Sequence, residues 1–181
     1  MISYEIHGLD ELVSKLNKLP DVLKNSVADS QELVIEKAEG YAQRELQFSV
    51  KYSSGELARS FRHEIKMSDN SVIGRWWNVD PVAIYREFGT GRNGEMSPKN
   101  LPENVTISYR QTPWFIPADK VDVDLNELYR MPKIKINGKT YYRTNGQIAR
   151  RFVTPSIEKV AQEAPDIFKN NLNERFRELS D

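Results

Sequence analysis

HEIKMSDNSVIGRWWNV, residues 63–79, contains two β-favouring runs, HEIKM and VIGRWWNV, on either side of the polar loop Ser68-Asp69-Asn70-Ser71. Isoleucine, valine and tryptophan suit a half-buried pleated surface, and two such runs around a short polar loop predict an antiparallel hairpin. The flanking sequence is helical in pattern. Immediately upstream, GELARSFR (55–62) puts Leu57, Ala58 and Phe61 on one side of a short helical turn, with Ser54 in the N-cap position. Before it, a stripe of Leu23, Val27, Val34, Ala38, Tyr41, Ala42 and Phe48 predicts a long helix over about 22–48. Gly40 lies inside that helix and costs it about 1 kcal/mol relative to alanine unless a tertiary contact offsets the loss. An earlier segment with Leu9, Leu12, Val13 and Leu16 at helical spacing is expected to stop at Pro20. Weak alternation over Ser3–Ile6 reads as an edge strand.

Downstream of the hairpin, Asp80-Pro81 introduces VAIYREF (82–88), a third apolar run that reads as a strand ending at Gly89-Thr90-Gly91. Two glycines around a threonine mark a sharp turn or a close approach of another backbone. The next third of the chain is irregular, with prolines at 98, 102, 113, 117 and 132. Short β-type runs occur at VTISY (105–109) and at KIKINGKTYYR (133–143), where Asn137-Gly138 is a hairpin turn signal. A last helix is expected over about Thr154–Leu179. Its face is Ile157, Val160, Ala161, Ala164, Phe168, Leu172, Phe176 and Leu179, and Pro165 should kink or divide it. The predicted fold class is α+β, an antiparallel β-sheet packed against a long N-terminal helix and a C-terminal helix. A single domain over 1–181 carries an irregular, β-containing insertion at about 93–146.

Lys+Arg and Asp+Glu both number 26 among 181 residues, so there is no global excess of positive charge to favour nucleic acid as the main partner. Mean hydropathy is −0.63, and no apolar run approaches the ~20 residues of a membrane span. The N-terminus lacks the basic and apolar regions of a secretory signal. With no cysteine there is no disulfide framework, no thiol nucleophile and no cysteine zinc site. The two histidines, His7 and His63, fall in no metal-ligand spacing. GTGRNG (89–94) matches the glycine pattern of a dinucleotide fingerprint, but no βαβ unit surrounds it. Glu87 with His63 offers a hydrolase nothing beyond residue types. The expectation is therefore no catalysis, no metal and no cofactor.

Charge is unevenly placed. Asp119, Asp122, Asp124 and Glu127 form an acidic patch, whereas Arg130, Lys133, Lys135, Lys139, Arg143, Arg150 and Arg151 come after it without an acidic residue among them. The basic stretch, interleaved with Tyr129, Tyr141 and Tyr142, admits two readings. It could neutralise phosphates while tyrosines stack on bases, which makes a small nucleic-acid-binding module the alternative function. It could instead meet an acidic patch on another subunit.

Separated segments together resemble one family, the tail-completion or head–tail joining proteins of long-tailed bacteriophages, named after gene product ten of phage HK ninety-seven. Ser53-Ser54-Gly55-Glu56-Leu57-Ala58-Arg59-Ser60-Phe61 is similar to the family's D-T-G-x-L-x-x-S-I, with Ser-Ser in place of Asp-Thr. Tyr85-Arg86-Glu87-Phe88-Gly89-Thr90-Gly91 looks like its Y-x-E-F-G-T-G. Gln147-Ile148-Ala149-Arg150-Arg151-Phe152-Val153-Thr154-Pro155-Ser156-Ile157 resembles P-A-x-P-F-L-x-P-A-L, with Arg151 replacing a proline and Ser156 an alanine. The start, Ile6-His7-Gly8-Leu9-Asp10-Glu11-Leu12, resembles I-x-G-L-D-E-L. Residues 97–144 are the least covered, although Pro113-Trp114-Phe115-Ile116-Pro117 is similar to an insertion in longer members.

The resemblance implies a virion structural protein at the head–tail interface, synthesised in the bacterial cytoplasm and acting by protein–protein assembly. Its implied partners are other copies of itself, with a hexameric ring as the model, and the head connector and tail-tube proteins. DNA would at most pass through the lumen, and no membrane is involved. A ring needs one patch to meet a different patch on the next copy. The expected interface is Tyr85, Glu87, Phe88, Gly89, Thr90, Gly91 and Arg92, with Arg150 and Arg151 opposed to Asp122 and Asp124. Gly55, Leu57, Ser60, Phe152 and Pro155 are the expected structural motif residues.

Overall fold

In a computed structural model describing residues 9–48, 55–99, 101 and 103–180, the hairpin forms as predicted. Strand β1 (Phe61–Met67) pairs antiparallel with β2 (Val72–Asn78), from Phe61 opposite Asn78 to Met67 opposite Val72. The Ser68 N–H donates to the Ser71 carbonyl at 2.8 Å and closes the loop. The chain divides into two compact units, one of the described residues up to Val79 together with those from Phe152 onward, the other Asp80–Arg151. The edge strand expected at 3–6, His7 and Ser54 lie outside the described residues.

In the first unit, helix α1 (Leu9–Phe48) is one unbroken element of 40 residues with Pro20 inside it. The expected stop at Pro20 is thus corrected. Proline removes a single helical hydrogen bond, and both Pro20 and Leu16, whose carbonyl loses its donor, are exposed to water. Helix α6 (Val153–Ser180) likewise continues through Pro165, which is exposed, and is not divided. The two helices run antiparallel, joined at their polar margins. Ser26 Oγ donates to Asn171 Oδ1 at 2.9 Å, Arg175 pairs with Asp29 at 2.6 Å, and Glu163 accepts from Lys37 Nζ at 2.7 Å and from the Tyr41 hydroxyl at 2.6 Å. Small residues make up much of the buried surface, Ser26, Ala28, Ser30, Ala38 and Ala42 on α1 and Ser156 on α6, beside the larger Ile35, Leu46 and Val160. The serine hydroxyls are satisfied locally, Ser30 on the Ser26 carbonyl and Ser156 on the Phe152 carbonyl.

The hairpin packs on another side of α1. A Cβ at Gly74 would come within 2.9 Å of Gln31 Oε1 and 3.0 Å of Ile35 Cδ1, so the missing side chain lets helix and strand approach. Gln31 Nε2 donates to the Val72 carbonyl at 2.9 Å. Phe61 stacks on Trp76 at 4.8 Å and meets the fully buried Phe152 edge-on at 6.0 Å. Between α1 and the hairpin, helix α2 (Glu56–Arg59) is preceded by Gly55 at φ 75, a left-handed residue that supplies no side-chain cap. The Leu57 carbonyl accepts from Asn78 Nδ2 at 2.9 Å, and the Ser60 carbonyl from the Val79 N–H at 3.0 Å. The motif residues Gly55, Leu57 and Ser60 thus turn the chain into β1. Pro155 sits in the first turn of α6, where its missing N–H breaks no helical bond.

The second unit holds more regular structure than an irregular insertion. Helices α3 (Val82–Phe88) and α4 (Gly91–Glu95) open it, followed by strand β3 (Trp114–Pro117), helix α5 (Leu125–Tyr129), and strands β4 (Lys133–Ile136) and β5 (Lys139–Thr144). The strands form an antiparallel sheet in the order β3-β5-β4. Asn137 and Gly138 have φ of 49° and 78°, the two positive values a two-residue hairpin turn requires. Residues 105–109, expected as a strand, take part in no ladder.

Candidate functional site

The expected third strand, VAIYREF, is instead helix α3, and the reason is local. Asp80 Oδ1 accepts from the Val82 N–H at 2.8 Å, and Pro81 has φ −61°, already set for a first helical turn. The apolar run is amphipathic at helical spacing. Ala83 and Glu87 are buried, Glu87 at 4 % exposure, while Ile84 and Tyr85 are 62 % and 55 % exposed.

Gly89 ends α3 at φ 74°, ψ −178°, a conformation that only glycine adopts readily. The next residue, Thr90, forms a two-way clamp with a segment 57 residues away. The Thr90 N–H donates to the Gln147 carbonyl at 2.9 Å, and the Gln147 N–H donates to Thr90 Oγ1 at 3.0 Å. Around it, Asn93 Nδ2 donates to the Gly146 carbonyl at 2.8 Å and Gln147 Nε2 to the Tyr85 carbonyl at 2.8 Å. The Arg150 N–H donates to the Arg86 carbonyl at 2.9 Å, and the Tyr109 hydroxyl to the Phe88 carbonyl at 3.0 Å. A Cβ on Gly89 would lie 2.6 Å from the Gln147 carbonyl oxygen, and one on Gly146 1.8 Å from that of Thr90. The close backbone approach that the glycines permit is therefore made within the chain.

Of the residues expected at an interface, Gly89, Gly91 and Glu87 are buried, whereas Tyr85 and Arg92 are exposed and Phe88 and Thr90 half-buried. Residues 85–90 are joined to 147–150. Arg150 and Arg151 are half-buried, and Asp122 is exposed. Asp124 is committed locally: it caps α5 through the Asn126 and Glu127 N–H groups and pairs with Lys133 Nζ at 2.5 Å. The Lys133 hydrogen bond holds the Asp124 carboxyl below the ordinary aspartate value and raises Lys133 in turn. Sequence patterning does not single out Asn93, Tyr109, Asn145 or Gly146. A signal exists in Asn145-Gly146, a turn dipeptide ahead of the third motif.

Beside the clamp, within the same unit, a cleft of about 370 Å³ opens between the α3 end, the α5–β4 turn and the 143–150 segment. Arg86, Arg130, Arg143 and Arg150 line it with Tyr129 and Asn145, and no carboxylate does. Burial, with the like charge of Arg150 beside it, lowers Arg86 below its ordinary value. Among the described residues there is no group of three or more His, Asp or Glu side chains placed to hold a metal, and no helix is long and apolar enough to cross a membrane. His63 is exposed on β1, in a different unit from Glu87.

Comparison with protein-family models, curated proteins and solved structures gave no match to this chain. The likeness to the phage family rests on the separated sequence motifs at 6–12, 53–61, 85–91 and 147–157.

Proposed function

We propose that the chain is a structural assembly protein of the phage head–tail joining class, acting through contacts between copies and with neighbouring virion proteins. The observation that carries this reading is the apolar surface that ordered elements leave uncovered. Leu12, Val13 and Leu16 lie at helical spacing on the first turns of α1 and are 54 %, 47 % and 55 % exposed. Contiguous apolar faces of this kind mark interaction surfaces. The glycine clamp is internal to the chain, so it accounts for the 85–91 and 147–157 motifs as fold-building segments and leaves the contacts between copies to other surfaces.

The test is native mass by light scattering across concentration at low and high salt. A closed species near six times 21.0 kDa is expected. A monomer throughout, also in the presence of purified heads and tails, overturns the assembly reading.

A further inference from the structure

We propose that the N-terminal arm of α1 is covered by the same arm of a second copy, the two lying antiparallel along a leucine seam with Leu12 of one chain opposite Leu16 of the other. This rests on the assembly reading and names a contact for it.

The first observation is that α1 outruns its neighbours. It has 40 residues, against 28 in α6. The Lys37–Glu163 and Ser26–Asn171 pairs set the two helices antiparallel, and Val22 and Leu179 border one cleft at the end of the overlap, so α6 stops about level with Pro20. The hairpin loop reaches no further, since Asp69, Asn70 and Ser71 border a cleft with Pro20 and Leu23. Residues 9–19 are left as a helical arm about 16 Å long. From Asp10 to Lys18 every residue but Lys15 is exposed.

The second is the seam. Leu12, Leu16, Leu19 and Leu23 follow one another at alternating steps of four and three residues, the repeat of a coiled coil. The same repeat continues to Ser26 and Ser30, which are fully buried, and there Ser26 bonds to α6. The face that α6 covers further along α1 thus turns to leucine where α6 has ended. Leucines at this spacing pack against a second helix that carries the same repeat.

The third is direction. Asp10 and Glu11 stand in the first turn of the arm, and Lys15 and Lys18 come after them. Lys15 meets Glu11 at 3.2 Å within the chain. An antiparallel partner sets each acidic end beside the lysines of the other arm, whereas a parallel one sets like charge beside like. A parallel partner would also run on into the track that α6 occupies. An antiparallel arm begins where α6 stops and points its N-terminal, positive end at the C-terminal, negative end of α6. That abutment fixes the register: arms overlapping over 9–19 bring Leu12 opposite Leu16. The contact is two-fold and makes pairs, so a larger closed species needs a second, different surface to join them.

The chain has no cysteine, so a disulfide reports introduced thiols alone. Full-length Leu12→Cys and Leu16→Cys proteins, one of them isotope-labelled, are oxidised separately and as a mixture. Ser14→Cys, on the opposite side of the helix, is the control. In the proposed register like positions are offset by about 6 Å along the axis, too far for a disulfide between neighbouring helices. Mixed 12–16 cross-linking is expected to exceed that of either variant alone by about fivefold or more, with Ser14→Cys at background. Leu12 and Leu16 are more than half exposed, and melting curves check that the variants are folded. Glu11→Cys with Lys18→Cys probes the same register at polar positions and decides the matter if a leucine variant unfolds. Cross-linking of a single leucine variant that equals the mixture, or cross-linking of Ser14→Cys, overturns the antiparallel seam. No mixed cross-link alongside an assembled species in light scattering overturns the arm contact and leaves assembly standing; neither cross-link nor assembled species overturns both.

Discussion

Two glycines on helical and clamp backbones make opposite demands. Gly40 sits inside α1 with open space where a Cβ would go, so no tertiary contact offsets its conformational freedom in the unfolded chain. Gly40→Ala is expected to stabilise the protein by about 1 kcal/mol, a rise of roughly 2–4 °C in melting temperature. An unchanged or lower melting temperature would contradict this account of the site. Gly146 is the reverse case. At φ +98°, with the Thr90 carbonyl oxygen 1.8 Å from any Cβ, even alanine must push two backbones apart. Gly146→Ala should cost on the order of 3 kcal/mol or more in chemical denaturation and expose the Thr90 and Gln147 amides to hydrogen exchange. Retained protection at those two amides would mean that the clamp tolerates what the geometry forbids.

At the scale of elements, the contact between α1 and α6 carries a pH dependence with a definite sign. Glu163 accepts from Lys37 and from the Tyr41 hydroxyl, and these hydrogen bonds, the Lys37 one first, lower its pKa in the folded state. A depressed carboxylate contributes stability that is complete above the ordinary glutamate value and is lost as pH falls through the lowered one. The pair is partly exposed, so the effect is modest. In melting experiments Glu163→Gln should lower stability at neutral pH, and the gap to the parent protein should close in acid. A gap independent of pH would show that the ionised carboxylate is not what matters.

The same elements show which parts of the fold are readable from residues. The hairpins at 61–78 and 133–144 are legible because β-favouring runs and turn chemistry agree. Helix α3 is not, because seven residues are too few to separate a buried strand from a half-buried helix, and the deciding feature is the Asp80-Pro81 start. Pro20 misleads because a proline removes only one helical hydrogen bond, and here it and Leu16 lie on the exposed side of a long helix. The apolar stripe of α1 misplaces part of its buried face, since Leu23 and Phe48 are exposed while Ile35 and Leu46, outside the stripe, are buried. The helix is covered on two sides, and serines and alanines allow the close approach to α6 that larger residues would prevent. At the candidate site, the glycine loop and the 147–157 motif are both visible in sequence but their pairing is not, since a contact spanning 57 residues leaves no local trace.

At the scale of the whole molecule, association and stability can be separated because the apolar stripe on α1 lies outside the packed core. Leu12 and Leu16 are more than half exposed, so replacing them with serine removes little buried surface from the fold itself. Serine lowers helix propensity by only about half a kcal/mol per site, and the change is confined to the first turns of a 40-residue helix. If these side chains are covered by another copy, each buries apolar area on assembly worth about 1.5–3 kcal/mol, and the paired loss shifts the association midpoint by more than tenfold in concentration. Leu12→Ser/Leu16→Ser is therefore expected to keep the parent melting temperature in dilute solution within a few degrees, while moving the assembled species seen by light scattering to much higher concentration. Salt should leave that shift in place, because the lost contact is apolar rather than ionic. An assembled mass identical to the parent's at every concentration would place the contacts elsewhere, and the exposed Ile84 and Tyr85 face of α3 would be the next surface to substitute.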